Sequence, residues 1–329
     1  MVLSTIHCST TVVQKQIQTF LSMAPPSATT TETYSVPETK PSNGYDKPDS
    51  QPEGTATHES GPTQRGVKAA MQQFPAPPKF TDKYEEREYL KGRLALAFRI
   101  FGKEGFDEGV AGHITLRDPV KPDHFWVNPF GVAFSQIKKS DLILVNHEGK
   151  VVDGGPVRLL NQAAYMIHAA VHAARPDVMC AAHSHSIYGR SFCSLGRPID
   201  TITQDACAFY NDLAVYNSFR GVVLVKEEGE NIAKSLGNKK AVLLQNHGLL
   251  TVGQTIEATI FWFCSLEKCC RAQLMADAAC AGRGGATIKI DDEDAAFTYK
   301  AVGTPRAGWF SAKPAFDVME AESAPAVFA

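Results

Sequence analysis

Two short runs, Val178–Ala182 and Ala241–Leu244, contain no charged residue, and each leads into a histidine. A strand that is apolar on both faces must be covered on both faces, so such runs belong inside a sheet with helices above and below it. Around them, apolar residues recur at helical spacing over Tyr84–Phe101, with Gly102 and Gly105 as the stop. His113–Arg117 alternates like a strand and ends at Asp118-Pro119. Phe125–Val127, Leu142–Val145, Lys150–Val152, Leu213–Tyr216, Val222–Val225 and Leu249–Val252 read as further strands, with His147-Glu148-Gly149 as a hairpin turn. Helices are expected over Arg158–Arg175, Asn231–Leu236 and Thr255–Cys280, and Ser135 as a helix cap. Strands and helices that do not alternate strictly point to one α/β domain with a mixed sheet covered by helices.

That domain is expected to occupy residues 81–284. Ten of the nineteen prolines fall in the first 80 residues, which are also rich in Ser, Thr, Gly and Glu. Such a stretch buries too little apolar area to offset its ordering entropy, so residues 1–80 are expected to be disordered. Residues 1–22, ahead of Met23, read as a dispensable extension. Residues 285–329 form a C-terminal extension with little regular pattern. The formal net charge of −2 calls for neither nucleic acid nor an anionic membrane as partner, and no apolar run reaches membrane-spanning length. The eight cysteines include no C-x-x-C pair, so they are expected to be free thiols in a reducing compartment, the cytoplasm.

His183 and His185 stand one residue apart where the first apolar run ends, so strand alternation puts both imidazoles on one face. His247 follows the second run in Asn246-His247-Gly248. If both strands end at the same sheet edge, the three rings converge. Three protein ligands leave an open position, the mark of a catalytic metal that can polarise a carbonyl or stabilise an enolate. A rival pair, His168 and His172, sits at i and i+4 on one helix, but the glutamate of a metalloprotease helix is missing.

Several pieces occur together in one order: Gly112-His113-Ile114-Thr115-Leu116-Arg117-Asp118-Pro119, Val127-Asn128-Pro129-Phe130-Gly131, Ile167-His168-Ala169-Ala170-Val171-His172, His183-Ser184-His185, Gln204-Asp205-Ala206 and Gln245-Asn246-His247-Gly248. With these the chain resembles the class II aldolase/adducin family, in its adducin-like branch. Val302–Phe310 also resembles the C-terminal extension of adducin-like members. The resemblance implies a three-layer α/β/α fold with a mixed, largely antiparallel sheet, a homotetramer with sites near subunit boundaries, and Zn²⁺ (or Mn²⁺ or Fe²⁺) on His183, His185 and His247. It also implies that Ala164 stands where sugar-phosphate aldolases carry their catalytic glutamate. The phosphate-binding serine pair aligns near Gln162 and Ala163, and His113 replaces the asparagine of the glycine loop.

Ordinary sugar-phosphate aldolase chemistry is therefore not expected. Proton transfer falls to another residue or to water on the metal. His113 is the first candidate, its unperturbed pKa lying near about 6.5, followed by His168, Asp205 and Tyr210. Asn128 and Gly131 resemble the loop that holds a substrate anion through backbone N–H groups, and Gln204 is a further substrate contact. A neighbouring subunit is expected to lend Tyr299 or Trp309. The resulting expectation is a metal-dependent lyase, retro-aldol or decarboxylating, acting on a small oxo- or hydroxy-carboxylate. The alternatives are a non-enzymatic adducin-like scaffold and a metal-dependent epimerase.

Overall fold

The computed structural model describes residues 75–221 and 226–329. The expected disorder before residue 75, the extension before Met23 and the strand Val222–Val225 lie outside the described residues, whereas 75–80 carry no regular secondary structure. Helix α1 (Lys83–Glu104) begins at Asp82, whose side chain accepts from the Tyr84 N–H, and ends at Gly105 with φ +77°. Gly102 does not stop it. It lies inside the helix, where a Cβ would stand 3.0 Å from the Ser135 backbone nitrogen. Ser135 itself sits within the 3-10 turn Phe134–Gln136, which has no side-chain cap.

Among the described residues the strands are β1 (His113–Arg117), β2 (His124–Val127), β3 (Ile143–Asn146), β4 (Val151–Gly154), β5 (Cys180–Ser184), β6 (Leu213–Tyr216), β7 (Ala241–Leu244) and β8 (Gly248–Gly253). They form one sheet in the order β4-β3-β2-β1-β5-β8-β7-β6. Only β6 and β7 run parallel. The two apolar runs thus become β5 and β7, both inside the sheet as their composition requires.

Alternate residues of these strands enter different cores. Ile114, Leu116, Ala182, Leu243 and Leu249 pack on one face with Phe98 and Phe101 of α1, Phe192 of α3 (Ile187–Cys193) and Trp262 and Phe263 of α5 (Ile256–Ala281). Ala181, Val242, Leu244 and Leu250 pack on the other with Ile167 and Val171 of α2 (Gln162–Ala174) and Ile232 and Leu236 of α4 (Lys226–Leu236). The result is the expected three-layer α/β/α fold. Each fully buried large apolar side chain contributes about 1.5–3 kcal/mol. Helix α2 starts four residues later than its periodicity suggested: Asn161 caps it by accepting from the Ala164 N–H, and the preceding chain instead meets the loop after β2, where Phe130 N–H donates to Leu159 O.

The C-terminal extension is more regular than its sequence suggested. It forms α6 (Asp292–Val302) and α7 (Pro305–Ser323), capped by Asp291 and Thr304. The buried face of α7 runs Gly308, Ala312, Phe316, Met319 and Ser323, at helical spacing. Its apolar signal was hidden because the face opens with a glycine and because Pro314, a residue that disfavours helix, lies inside it. Glycine is required at 308, since a Cβ there would stand 2.4 Å from the Trp262 ring. No helix among the described residues is long and apolar enough to cross a membrane. All seven described cysteines are free.

Candidate metal centre

Strand β5 carries His183 at its penultimate position and His185 just beyond its end. The β7–β8 hairpin lies beside β5, with Ser184 opposite Leu249, so its turn is delivered to the same edge. In that turn Asn246 has φ +56°, a left-handed backbone that asparagine tolerates, and His247 N–H donates to Leu244 O at 3.0 Å. Gly248 lets the hairpin approach, because a Cβ there would stand 2.6 Å from Ser184 O.

The three rings therefore meet. Their centroids stand 4.7 Å (His183–His247), 4.9 Å (His185–His247) and 5.3 Å (His183–His185) apart. One nitrogen from each lies within 4.8 Å of the others, and this is the only such triad of potential ligands found among the described residues. Nitrogens bound to one tetrahedral ion stand roughly 3.3 Å apart, so small side-chain adjustments would close the set. His183 Nδ1–H donates to Leu249 O at 2.8 Å, which fixes its tautomer and leaves the Nε2 lone pair to face the group. Burial pushes His183 far below the ordinary histidine range and His247 down to about 4. His185 is lowered too, by burial and then by the charge of Arg190. All three are neutral near pH 7, the protonation state a metal ligand needs. The donor set thus fits a divalent ion of the zinc type.

The triad opens onto a cavity of about 660 Å³. Val110, Ala163, Ala164, Ile167 and Phe219 give it an apolar wall, and Asn161, Arg190, Ser191, Ser194 and Asn246 supply polar groups. Ala164, where the resemblance implied an aldolase glutamate, is on this wall and presents only a methyl group.

The remaining sequence-based candidates are not brought to the cavity. His113 pairs with His183 across β1 and β5, but its ring turns beneath α2. There Nε2–H donates to Ala164 O at 2.8 Å, and the ring lies 3.8 Å from that of His168. It is 3% exposed, and burial pushes its pKa down to about 3, far from the unperturbed value on which the expectation of a proton shuttle rested. His168 is fully buried, its Nδ1 bonded to the Thr115 hydroxyl at 2.7 Å. His172 Nε2 shares that hydroxyl at 2.9 Å, so a threonine rather than an ion links the rival i, i+4 pair. Gln204 and Asp205 are exposed at a 3-10 turn, and Asp205 lines a separate groove beside Phe261 and Phe316. Tyr210 and Tyr299 line a cavity beside Lys240, at the opposite end of β7 from His247. Asn128, Gly131 and Trp309 do not line the histidine cavity. The reason is common to all: helix rotation and loop path, not the local motif, decide where each side chain points.

Two residues emerge only from the structure. Arg190 is the one lysine or arginine among the described residues lining the cavity. Glu267 of α5 is 5% exposed and accepts from Ser186 Oγ at 2.6 Å, Tyr188 N–H at 2.9 Å and Gly189 N–H at 2.6 Å. It thereby caps α3, the helix that follows the histidine pair. A carboxylate one residue after Leu266, on a helix otherwise rich in apolar residues, was its one sequence signal.

The buried histidines set a pH dependence. His113 and His172 are both pushed down to about 3 by burial, whereas in an unfolded chain they titrate near about 6.5. Below that value the unfolded state binds more protons, so stability is full above it and falls with pH by roughly 1.4 kcal/mol per pH unit for each histidine. Thermal melts of chelator-treated protein should show a midpoint about 5–10 °C lower at pH 5.5 than at pH 7.5. A midpoint unchanged over that interval would contradict the assignment of both as buried neutral groups.

Comparison with known proteins agrees with this architecture. Residues 92–274 match the family model of the class II aldolase and adducin N-terminal domain. Decarboxylase NovR of Streptomyces niveus is 45% identical over 73% of the chain and 87% of its own length. The 4-hydroxy-3-prenylphenylpyruvate oxygenase/4-hydroxy-3-prenylbenzoate synthase of Streptomyces roseochromogenus is 46% identical over 73% of the chain and 85% of its own. A solved structure described as L-fuculose 1-phosphate aldolase from Glaciozyma antarctica superposes with a TM-score of 0.71 at 50% identity, covering 79% of this chain and 98% of that one.

Proposed function

The chain belongs to the class II aldolase and adducin family, and on that premise we propose that it is a divalent-metal-dependent carbon–carbon lyase acting on a small oxo- or hydroxy-carboxylate. The observation that carries this reading is the convergence of His183, His185 and His247 on one cavity, with His183 Nδ1–H committed to Leu249 O. These three side chains would hold Zn²⁺, or Mn²⁺ or Fe²⁺ in its place. Bound there, the ion supplies a Lewis acid that polarises a carbonyl oxygen and stabilises developing negative charge.

The chain's own groups then divide the remaining work. The methyl and sec-butyl wall of Ala163, Ala164 and Ile167 excludes water from one side of the cavity and offers contact to an apolar substrate body. Ala164 provides no carboxylate for proton transfer, which weighs against sugar-phosphate cleavage despite the name of the similar solved structure. The relative named as a decarboxylase favours loss of a carboxylate, and the relative named for a prenylphenylpyruvate favours an aryl-substituted oxo acid, which suits the apolar wall. A homotetramer in the cytoplasm completes the reading. A purely scaffolding, adducin-like role would leave three neutral imidazoles facing a cavity without a task.

The test is a panel of 2-oxo and 2-hydroxy acids, aliphatic and aryl, assayed for CO₂ and aldehyde release before and after chelation. At least one acid should turn over, with activity lost on chelation and restored by Zn²⁺, Mn²⁺ or Fe²⁺. Turnover indifferent to chelation, or none across the panel with the metal loaded, would overturn the proposal.

A further inference from the structure

Arg190 lies on α3, five residues after His185, and its backbone is firmly held. Its N–H donates to Ser186 O at 2.9 Å, and Glu267 caps the same helix end. At the preceding residue, Gly189, a Cβ would stand 2.5 Å from the Leu249 side chain, so α3 is pressed onto the hairpin that carries His247. The Arg190 side chain, by contrast, is 37% exposed. It reaches across to Glu108, which receives both Nη1 and Nη2, the latter at 3.3 Å. Glu108 is itself 58% exposed and belongs to the loop that continues into Val110, Ala111 and Gly112 on the cavity wall.

An ion pair this exposed contributes little to stability, so exchanging one carboxylate for another at Arg190 costs little. The guanidinium fork is built for two-point recognition of a carboxylate, and no lysine or second arginine among the described lining residues competes for one. The facing wall is apolar, and Val110 and Phe219 stay largely exposed at its rim. We propose that Arg190 is the carboxylate anchor of the histidine cavity and that Glu108 holds its place until an anionic substrate with an apolar body enters. This rests on the lyase reading for its substrate class and deepens it: recognition is by carboxylate and apolar contact, with Glu108 discriminating against neutral ligands that cannot displace it.

The experiment is calorimetric titration of the full-length protein with phenylpyruvate, pyruvate and benzoate, and with phenylacetone, which has the phenylpyruvate body without its carboxylate. Phenylpyruvate should bind at least tenfold more tightly than phenylacetone. Arg190→Gln should erase that preference without changing the melting temperature or the metal content. Glu108→Gln should tighten phenylpyruvate binding threefold or more. Equal carboxylate affinities in wild type and Arg190→Gln, weaker binding by Glu108→Gln, or no binding of any of the three acids at millimolar concentration would each overturn the proposal. Repeating the titrations after chelation separates the two claims. An Arg190→Gln defect that persists without metal supports the anchor even if the lyase assay fails, and equal affinities overturn it even if that assay succeeds.

Discussion

Replacing His183 with alanine is expected to remove metal and turnover together while leaving the chain folded. His183 is 3% exposed in the strand between β1 and β8, and it alone of the triad has a backbone carbonyl orienting its ring. Changes to groups that merely orient a ligand cost about 10–100-fold in metal affinity, so loss of the ligand itself should cost at least about 100-fold. Two imidazoles, one in the β7–β8 turn and one at the end of β5, cannot replace a three-point site. The fold should persist, because the β5 backbone pairs on both sides independently of this side chain. His172→Asn is the control. That histidine is buried between Thr115 and Phe125 rather than at the cavity, so its loss should lower stability and leave metal content intact. Retained metal in the His183 variant would break the assignment of the site.

Replacing Glu267 with alanine is expected to give the largest loss of stability among single changes near the site. Its carboxylate accepts three hydrogen bonds, two from backbone N–H groups in the first turn of α3. Removing it leaves three donors without their acceptor at about 1–3 kcal/mol for each that is buried, and because Tyr188 is half-buried and the Ser186 hydroxyl can rotate, the total is about 3–5 kcal/mol. In a domain of this size that lowers the melting midpoint by about 6–20 °C. Because α3 carries Arg190 and follows His185 directly, metal affinity should fall as well. Glu267→Gln retains one acceptor oxygen and should recover part of both. A midpoint within 2 °C of wild type for Glu267→Ala would show that α3 does not depend on this cap.

The sheet and the histidine triad were legible because they rest on local rules. Runs without polar residues must be buried strands, H-x-H at a strand end puts two rings on one face, and Asn246-His247-Gly248 marks a tight turn. Helices α6 and α7 announced their starts through Asp291 and Thr304-Pro305, but the buried stripe of α7 opens with Gly308, which carries no apolar signal. The placement of the proton-transfer candidates was not legible, for a different reason. His113 is directly opposite His183 in register, yet the packing of α2 turns its ring under Ala164 and against His168. Arg190 and Glu267 were hidden because their partners lie far off in sequence: Glu108 is 82 residues from Arg190, and Gly189 is 78 from Glu267. Such pairings exist only once the sheet has brought the loop before β1, the start of α3 and the middle of α5 together.

Elemental analysis of the purified full-length protein, run beside the oxo-acid assay, bears most directly on the three-histidine centre. One divalent ion per chain is expected, with turnover lost when it is chelated and neither recovered in His183→Ala. Turnover by a chain that holds no ion would contradict it.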